Sequence, residues 1–286
     1  MKFSGRFCKD TRAAPKGKKR KMARIDDLVF LVRSLVEERF GEEAPQLASV
    51  ESAAGEEALF RQFRDLVNTR EPLPASEEFL ATQDRVLQGL IEDAGITDAA
   101  ALPRVPLDSR LSLWRGDITT LAADAIVNAA NSQMLGCWVP GHYCIDNAIH
   151  TFAGVQLRAE CARLMREQGH EETTGRAKVT PAYNLPARFV IHTVGPIANG
   201  HPTRRDEELL AQSYVSCLNA AESFGCTSLA FCCISTGVFG FPQAKAAPIA
   251  VATVRAWLDA HGSDLHIVFN VFSEQDERIY HELLFN

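Results

Sequence analysis

LWRGDITTLAADAIVNAAN, residues 113–131, is the stretch on which the fold turns. Leu113 and Trp114 end one short apolar run, and Ala125, Ile126 and Val127 form the body of another. Each run closes on a polar cluster, RGDIT at 115–119 and NAAN at 128–131. Short apolar runs that do not alternate with polar residues suit strands buried on both faces. The spacing places strands at 111–114 and 125–129, each feeding a polar loop from its carboxyl end.

The same pattern repeats toward the C-terminus. Strands are expected at 189–194, 228–234 and 266–272, and helices at 145–168, 205–224, 243–260 and 275–284. Strands that alternate with helices make an α/β domain, here of about 175 residues. Toward the N-terminus the period changes. Residues 25–40 carry apolar side chains at 28, 31, 32, 35, 36 and 40, and 56–68 repeat the spacing with Leu59, Phe60, Phe63, Leu66 and Val67. Ser76, followed by Glu77 and Glu78, reads as the N-cap of a third helix that ends near Gly95. Residues 25–105 are therefore expected to form a helical extension and 106–286 the α/β domain, with a linker around DAAALPRVPLDSR.

Composition narrows the function. The 286 residues are 46% hydrophobic and 23% charged, which suits a soluble globular protein. The net charge of −6 conceals an uneven distribution. Residues 1–24 carry ten Lys or Arg and one acid, and the remaining 20 basic and 35 acidic residues give the body a charge of −15. A body so acidic is unsuited to nucleic acid. The basic tail, which contains PKGKKRK, reads as a nuclear address, a polyanion-binding arm or a solvated leader. No run of eighteen uncharged apolar residues and no secretory apolar segment is present, so no membrane association is expected. Eight cysteines in such a chain do not make a disulfide framework; Cys232 and Cys233 are expected as buried thiols. A reducing, cytoplasmic location follows, or a nuclear one if residues 16–21 act as an address, and the chain is expected to act as a monomer.

Ligands in α/β sheets gather at the carboxyl ends of strands. Four ends carry signatures: RGDIT, NAAN, HTVGP at 192–196 and STGVFGF at 235–241. The last is a glycine-containing loop between a strand and a helix, able to offer backbone N–H groups to an anion. It has no P-loop lysine, so amides alone would hold a phosphate.

These four signatures, in this order over residues 111–286, closely resemble the macrodomain family, which binds ADP-ribose. The resemblance implies a three-layer fold with a mixed central sheet between helices. It also implies site residues. Asp117 would accept from the adenine amine beside the backbone N–H of Ile118, although a cap or turn role is its structural alternative. Ser235, Thr236, Gly237, Val238, Phe239 and Gly240 would cradle the diphosphate, and Asn131 would contact the distal ribose. Phe272 is a candidate for stacking on adenine, with a place in the core as its alternative. Asn128 reads as a loop-bracing hydrogen bonder, and His192 as a satisfied core histidine outside the site.

One segment departs from the common pattern. After NAAN the chain reads GCWVPGHYCIDNAIH, 136–150, in which Cys137, His142 and Cys144 have the spacing C-x4-H-x-C. Thiolate and imidazole suit Zn²⁺, and three protein ligands with an open fourth position are the catalytic pattern. The departure resembles the zinc-containing macrodomains that hydrolyse protein-linked mono-ADP-ribose, and with the helical extension the likeness spans about 55–286. It implies one catalytic Zn²⁺ per chain and a mono-ADP-ribosylated protein as substrate. Asp146 and Asn131 are then the expected catalytic pair, with Asp146 orienting or deprotonating water. His150 is placed outside the ligand set, since a fourth side chain would close the metal. The alternatives are a non-catalytic ADP-ribose reader with a structural zinc, and an O-acyl-ADP-ribose esterase.

Overall fold

The structure, a computed structural model, describes residues 16–41 and 55–286, with side chains described from Met22 onward. Most of the expected basic tail lies outside the described residues. Helix α1 (Lys16–Phe40) begins nine residues before the expected boundary at 25. Arg24 is part of the helical unit rather than of a tail. It is buried and ion-paired at 2.6 Å with Glu56 and at 2.6 Å with Asp93, on the next two helices.

Helices α2 (Glu56–Asn68) and α3 (Glu77–Ala94) complete a three-helix unit. Its apolar stripes meet in one cluster: Leu28, Leu31, Val32, Leu35 and Val36 of α1 against Leu59, Phe63, Phe79, Val86 and Leu87. The Ser76 hydroxyl accepts from the Phe79 N–H at 3.2 Å, so the expected cap is present. The unit is not separated from the domain that follows. Val155 joins its core, while Ile91, Ala99 and Val105 belong to the main core, so the partition at 105/106 does not separate two cores.

After a two-residue strand, β1 (Thr97–Asp98), come β2 (Leu111–Arg115), β3 (Leu121–Ala122) and β4 (Ala125–Ala130). Then follow α4 (Ile145–Ala153), α5 (Val155–Gln168), β5 (Ala177–Pro181), β6 (Phe189–Val194) and α6 (Arg204–Ser223). The chain closes with β7 (Ser228–Phe231), α7 (Gln243–His261), β8 (His266–Val271) and α8 (Glu274–Phe285). Six strands form one sheet in the order β2-β8-β7-β4-β6-β5, and β1 pairs with β3 beside it. All pairs in the large sheet are parallel except β5 with β6. Helices flank this mixed sheet, as expected. All six residues of β8 and five of six in β4 are buried, the mark of strands covered on both faces.

Two elements differ from the sequence reading. The helix expected over 145–168 breaks at Gly154, which has φ of 100° and separates α4 from α5. A Cβ there would lie 2.5 Å from the Gln83 side chain, so the close approach of α3 also favours glycine. Strand β5 was not expected. Its five residues, AKVTP, are mostly half-buried and end in proline, which only an edge strand tolerates.

Candidate functional site at the carboxyl ends of the strands

Because β2, β8, β7, β4 and β6 run parallel, their carboxyl ends open on one edge. Every loop singled out in the sequence leaves from that edge. Asp117 follows β2 and is exposed, with Oδ1 accepting from the Thr119 N–H at 2.9 Å and its hydroxyl at 2.7 Å. It thus caps the 3₁₀ turn Ile118–Thr120, the structural role weighed above. Ile118 buries its side chain in the core while its N–H begins that turn, where no intrahelical acceptor exists. Asn270 of β8 donates to the Gly116 carbonyl at 2.9 Å and holds this loop to the sheet. Phe272, just past β8, is 79% exposed and so does not belong to the core.

The 235–240 segment forms a turn laced to the loop after β6. Ala198 and Asn199 both donate to the Phe239 carbonyl, at 2.8 and 3.1 Å, and Gly200 donates to the Gly240 carbonyl at 2.7 Å. Gly240 has φ of 67°, and a Cβ on it would lie 3.2 Å from the backbone of Asn199 and of Gly200. Thr236 turns its hydroxyl onto the Cys233 carbonyl at 3.0 Å, and Ser235 is buried at φ of 65°. The N–H groups of Gly237, Val238 and Phe239 donate to no backbone acceptor among the described residues. Adjacent unpaired donors in a tight turn are suited to an anion.

Asn131 opens the loop that leaves β4. Its Nδ2 donates to the Gly136 carbonyl at 3.1 Å, and its Oδ1 accepts from the N–H groups of Gln133 (3.0 Å) and Met134 (3.1 Å). The amide therefore braces the 131–136 turn, with one of its two Nδ2 hydrogens engaged. Asn128 is fully buried instead. Its Nδ2 donates to Asp146 Oδ1 at 2.8 Å and faces His192 Nδ1 at 3.1 Å. Asn128 is thus the bracing hydrogen bonder that its place in the sequence implied, and Asn131 braces its own loop as well.

Cys137, His142 and Cys144 converge. Their ligand atoms all lie within 4.8 Å of one another, and Cys137 Sγ is 3.6 Å from His142 Nδ1. Bonds of about 2.3 Å to sulfur and 2.0 Å to nitrogen in a tetrahedron put ligand atoms about 3.5 Å apart, so the spacing fits zinc. Cys144 also caps α4, its Sγ accepting from the Asn147 N–H at 3.4 Å. Burial pushes the Cys144 thiol up to about 12, with Cys137 nearby adding to the rise, so a bound cation would have to displace its proton. Arg158 fastens the loop from below. It stacks on Trp138 at 4.2 Å and donates to the carbonyls of Val67 (3.2 Å), Arg70 (2.7 Å) and Cys137 (3.5 Å).

Asp146 lies two residues past Cys144, buried on the first turn of α4. Burial raises its carboxyl to about 6, against the pull of the Asn128 hydrogen bond and of Arg158. His150 sits one turn further, its Nε2 3.6 Å from Asp146 Oδ1, and stays outside the Cys137–His142–Cys144 group. A second group, His150, Cys161 and His192, is wholly buried. His192 has both nitrogens engaged, by Asn128 and by the Thr180 hydroxyl at 3.0 Å, and burial lowers it to about 3. It is a hydrogen-bonded core histidine, as its apolar strand implied, whereas both ring nitrogens of buried His150 have no hydrogen-bond partner among the described residues. Sequence reasoning missed Arg158 and the helix α2 residues that touch the Cys137–Cys144 loop, because their partners lie 21 to 91 positions away.

The macro domain family model matches residues 127–250. A protein from Treponema medium named protein-ADP-ribose hydrolase is 54% identical over 267 residues, 92% of this chain and 100% of its own length. A protein of the same name from Staphylococcus aureus strain MSSA476 is 50% identical over 79% of this chain and 85% of its own. Among solved structures, the Oceanobacillus iheyensis macrodomain with ADP is 40% identical with a TM-score of 0.55, covering 60% of this chain and 88% of that one. The Trypanosoma brucei macrodomain in complex with ADP-ribose is 33% identical with a TM-score of 0.57, covering 77% and 94%.

Proposed function

The chain belongs to the macro domain family, and from that premise we propose that it is a zinc-dependent hydrolase that removes mono-ADP-ribose from modified protein side chains. Hydrolase activity is supported by relatives named protein-ADP-ribose hydrolase that align over most of their length. Binding of the nucleotide is supported by related macrodomains solved with ADP and with ADP-ribose. The observation that carries the finer reading is the convergence of two thiols and one imidazole on the loop that leaves β4, at the same sheet edge as the anion-binding turn.

Each group in the cleft has a chemical task. Asp117 and the Ile118 N–H take the adenine edge, and Phe272, exposed beside them, offers a face for stacking. The N–H groups of Gly237, Val238 and Phe239 hold the diphosphate without a counter-charge. These contacts are unchanged during the reaction and serve to orient the scissile bond. Asn131 shapes the loop on which the distal ribose rests. Asp146, held at Oδ1 by Asn128, orients the attacking water through its other oxygen. Cys137, His142 and Cys144 would hold zinc, which would supply Lewis acidity beside Asp146.

The test is release of ADP-ribose from a mono-ADP-ribosylated protein by the purified chain, beside titration of free ADP-ribose. Turnover supports the hydrolase. Tight binding with no release would make the protein a reader, and release only from acylated ADP-ribose would make it an esterase.

A further inference from the structure

Helix α2 belongs to the N-terminal extension, yet its polar face is spent on the Cys137–Cys144 loop. Asn68 is 1% exposed. Its Oδ1 accepts from the Gly141 N–H at 3.0 Å and from Asn147 Nδ2 at 2.8 Å, and its Nδ2 donates to the Thr151 hydroxyl at 3.1 Å. One turn earlier, Arg64 Nη2 donates to the His142 carbonyl at 3.0 Å and to Asn147 Oδ1 at 2.8 Å, with Nε reaching the same oxygen at 3.0 Å. Asn147 is the hub of this arrangement. Its side chain also donates to the Val139 carbonyl at 3.1 Å, while its own N–H points at Cys144 Sγ.

From these contacts we infer that Arg64 and Asn68 are positioning residues for the metal site, so that the helical extension sets how tightly the loop holds its ion. The inference rests on the reading of 137–144 as a zinc loop and adds a role for α2. Asn68 fixes the backbone at Gly141, and Arg64 fixes it at His142, the imidazole ligand itself. Through Asn147 both set the backbone amide that donates to the Cys144 sulfur at 3.4 Å. Loss of an outer-shell partner of this kind typically weakens metal binding about 10–100-fold. Within the loop two backbone bonds, His142 N–H to the Val139 carbonyl at 3.2 Å and Cys144 N–H to the His142 carbonyl at 3.1 Å, hold the turn, and Arg158 anchors its Cys137 end, so α2 supplies the ties at Gly141 and His142.

The experiment measures zinc affinity of the full chain by competition with a chromogenic chelator, together with thermal unfolding. Asn68→Ala and Arg64→Gln are compared with Asn68→Asp, which keeps both accepted hydrogen bonds. Gln83→Ala serves as a control, since Gln83 ties α3 to the start of α5 (2.9 Å to the Val155 N–H) without touching the loop. Asn68→Ala and Arg64→Gln should each weaken zinc binding about 10–100-fold. Asn68→Asp should stay within about threefold of the parent, and Gln83→Ala should lower the unfolding temperature with zinc affinity unchanged. Arg64 is half-buried, so its variant keeps the test open if the cavity in Asn68→Ala prevents folding. Equal zinc loss in Gln83→Ala, or parental affinity in Asn68→Ala and Arg64→Gln, would overturn the role of α2 while leaving the zinc loop standing. A parent chain that holds no zinc would overturn the loop reading and this inference together.

Discussion

Replacing Arg158 with methionine tests how the extension, the metal-ligand loop and the α/β core are joined. The side chain is 5% exposed and carries its guanidinium to three segments at once. Nη1 donates to the carbonyls of Val67 and Arg70, Nη2 reaches that of Cys137, and the plane stacks on Trp138 at 4.2 Å. Methionine retains most of the apolar stem but none of the donors. The Val67 carbonyl keeps the Arg70 N–H, but those of Arg70 and Cys137 lose their partner at about 1–3 kcal/mol each, and the lost stacking costs about 1–2 kcal/mol. Against this, burial already opposes the guanidinium charge and lowers its pKa, and Nε has no partner, so removing the ion recovers part of the loss. The net expectation is destabilisation of about 3 kcal/mol, or a drop of roughly 5 °C in unfolding temperature for a chain of 286 residues. Calorimetry gives the size of the effect, and limited proteolysis shows whether the extension is released first. Trp138→Ala in the Arg158→Met background should cost less than it does alone, because the stacking partner has gone. An unfolding temperature within about 2 °C of the parent, or additive effects of the two substitutions, would refute the idea that Arg158 joins these segments.

Three further outcomes are expected. Phe272→Ala removes an exposed ring, so it should weaken ADP-ribose binding by about 1–3 kcal/mol in titration calorimetry and leave thermal stability unchanged. Gly240→Val places a branched side chain at φ of 67° against the backbone of Asn199 and Gly200, costing about 1–2 kcal/mol from the conformation alone, and should lower ADP-ribose affinity more than tenfold by displacing the N–H donors. Burial opposes the charge on Asp124, but hydrogen bonds from Thr227 and the Arg188 guanidinium outweigh it and hold the carboxyl at about 2. A folded-state value below the ordinary 3.8 means that the stabilisation is complete above about pH 4 and fades as pH falls toward 2. The stability gap between the parent and Asp124→Asn, about 1 kcal/mol at neutral pH, should therefore close across that window in denaturant titrations.

Features written in neighbouring residues were legible before the structure was considered. The apolar stripes of α1–α3, the Ser76 cap and the doubly buried strands β4, β6 and β8 all follow from period and local chemistry. The convergence of Cys137, His142 and Cys144 was legible for the same reason, since one short loop carries all three. What was missed depends on partners remote in sequence. Strand β5 is defined by its pairing with β6 rather than by its own composition. The helix break at Gly154 reflects the approach of Gln83 on α3. What Asn128 braces depends on where Asp146 and His192 lie, 18 and 64 positions away. Likewise, nothing local to ALFRQFRDLVN says that Arg64 and Asn68 face a loop that begins some 70 residues later.

The most direct test of the account removes the metal. The purified chain would be stripped with a chelator, shown by circular dichroism and calorimetry to remain folded, and assayed for release of ADP-ribose from a mono-ADP-ribosylated protein before and after adding one equivalent of zinc. The account predicts that stripping slows release at least about 100-fold, some 2.7 kcal/mol in the barrier, and that one zinc ion per chain restores it. Release at the same rate from the stripped, folded protein would contradict it.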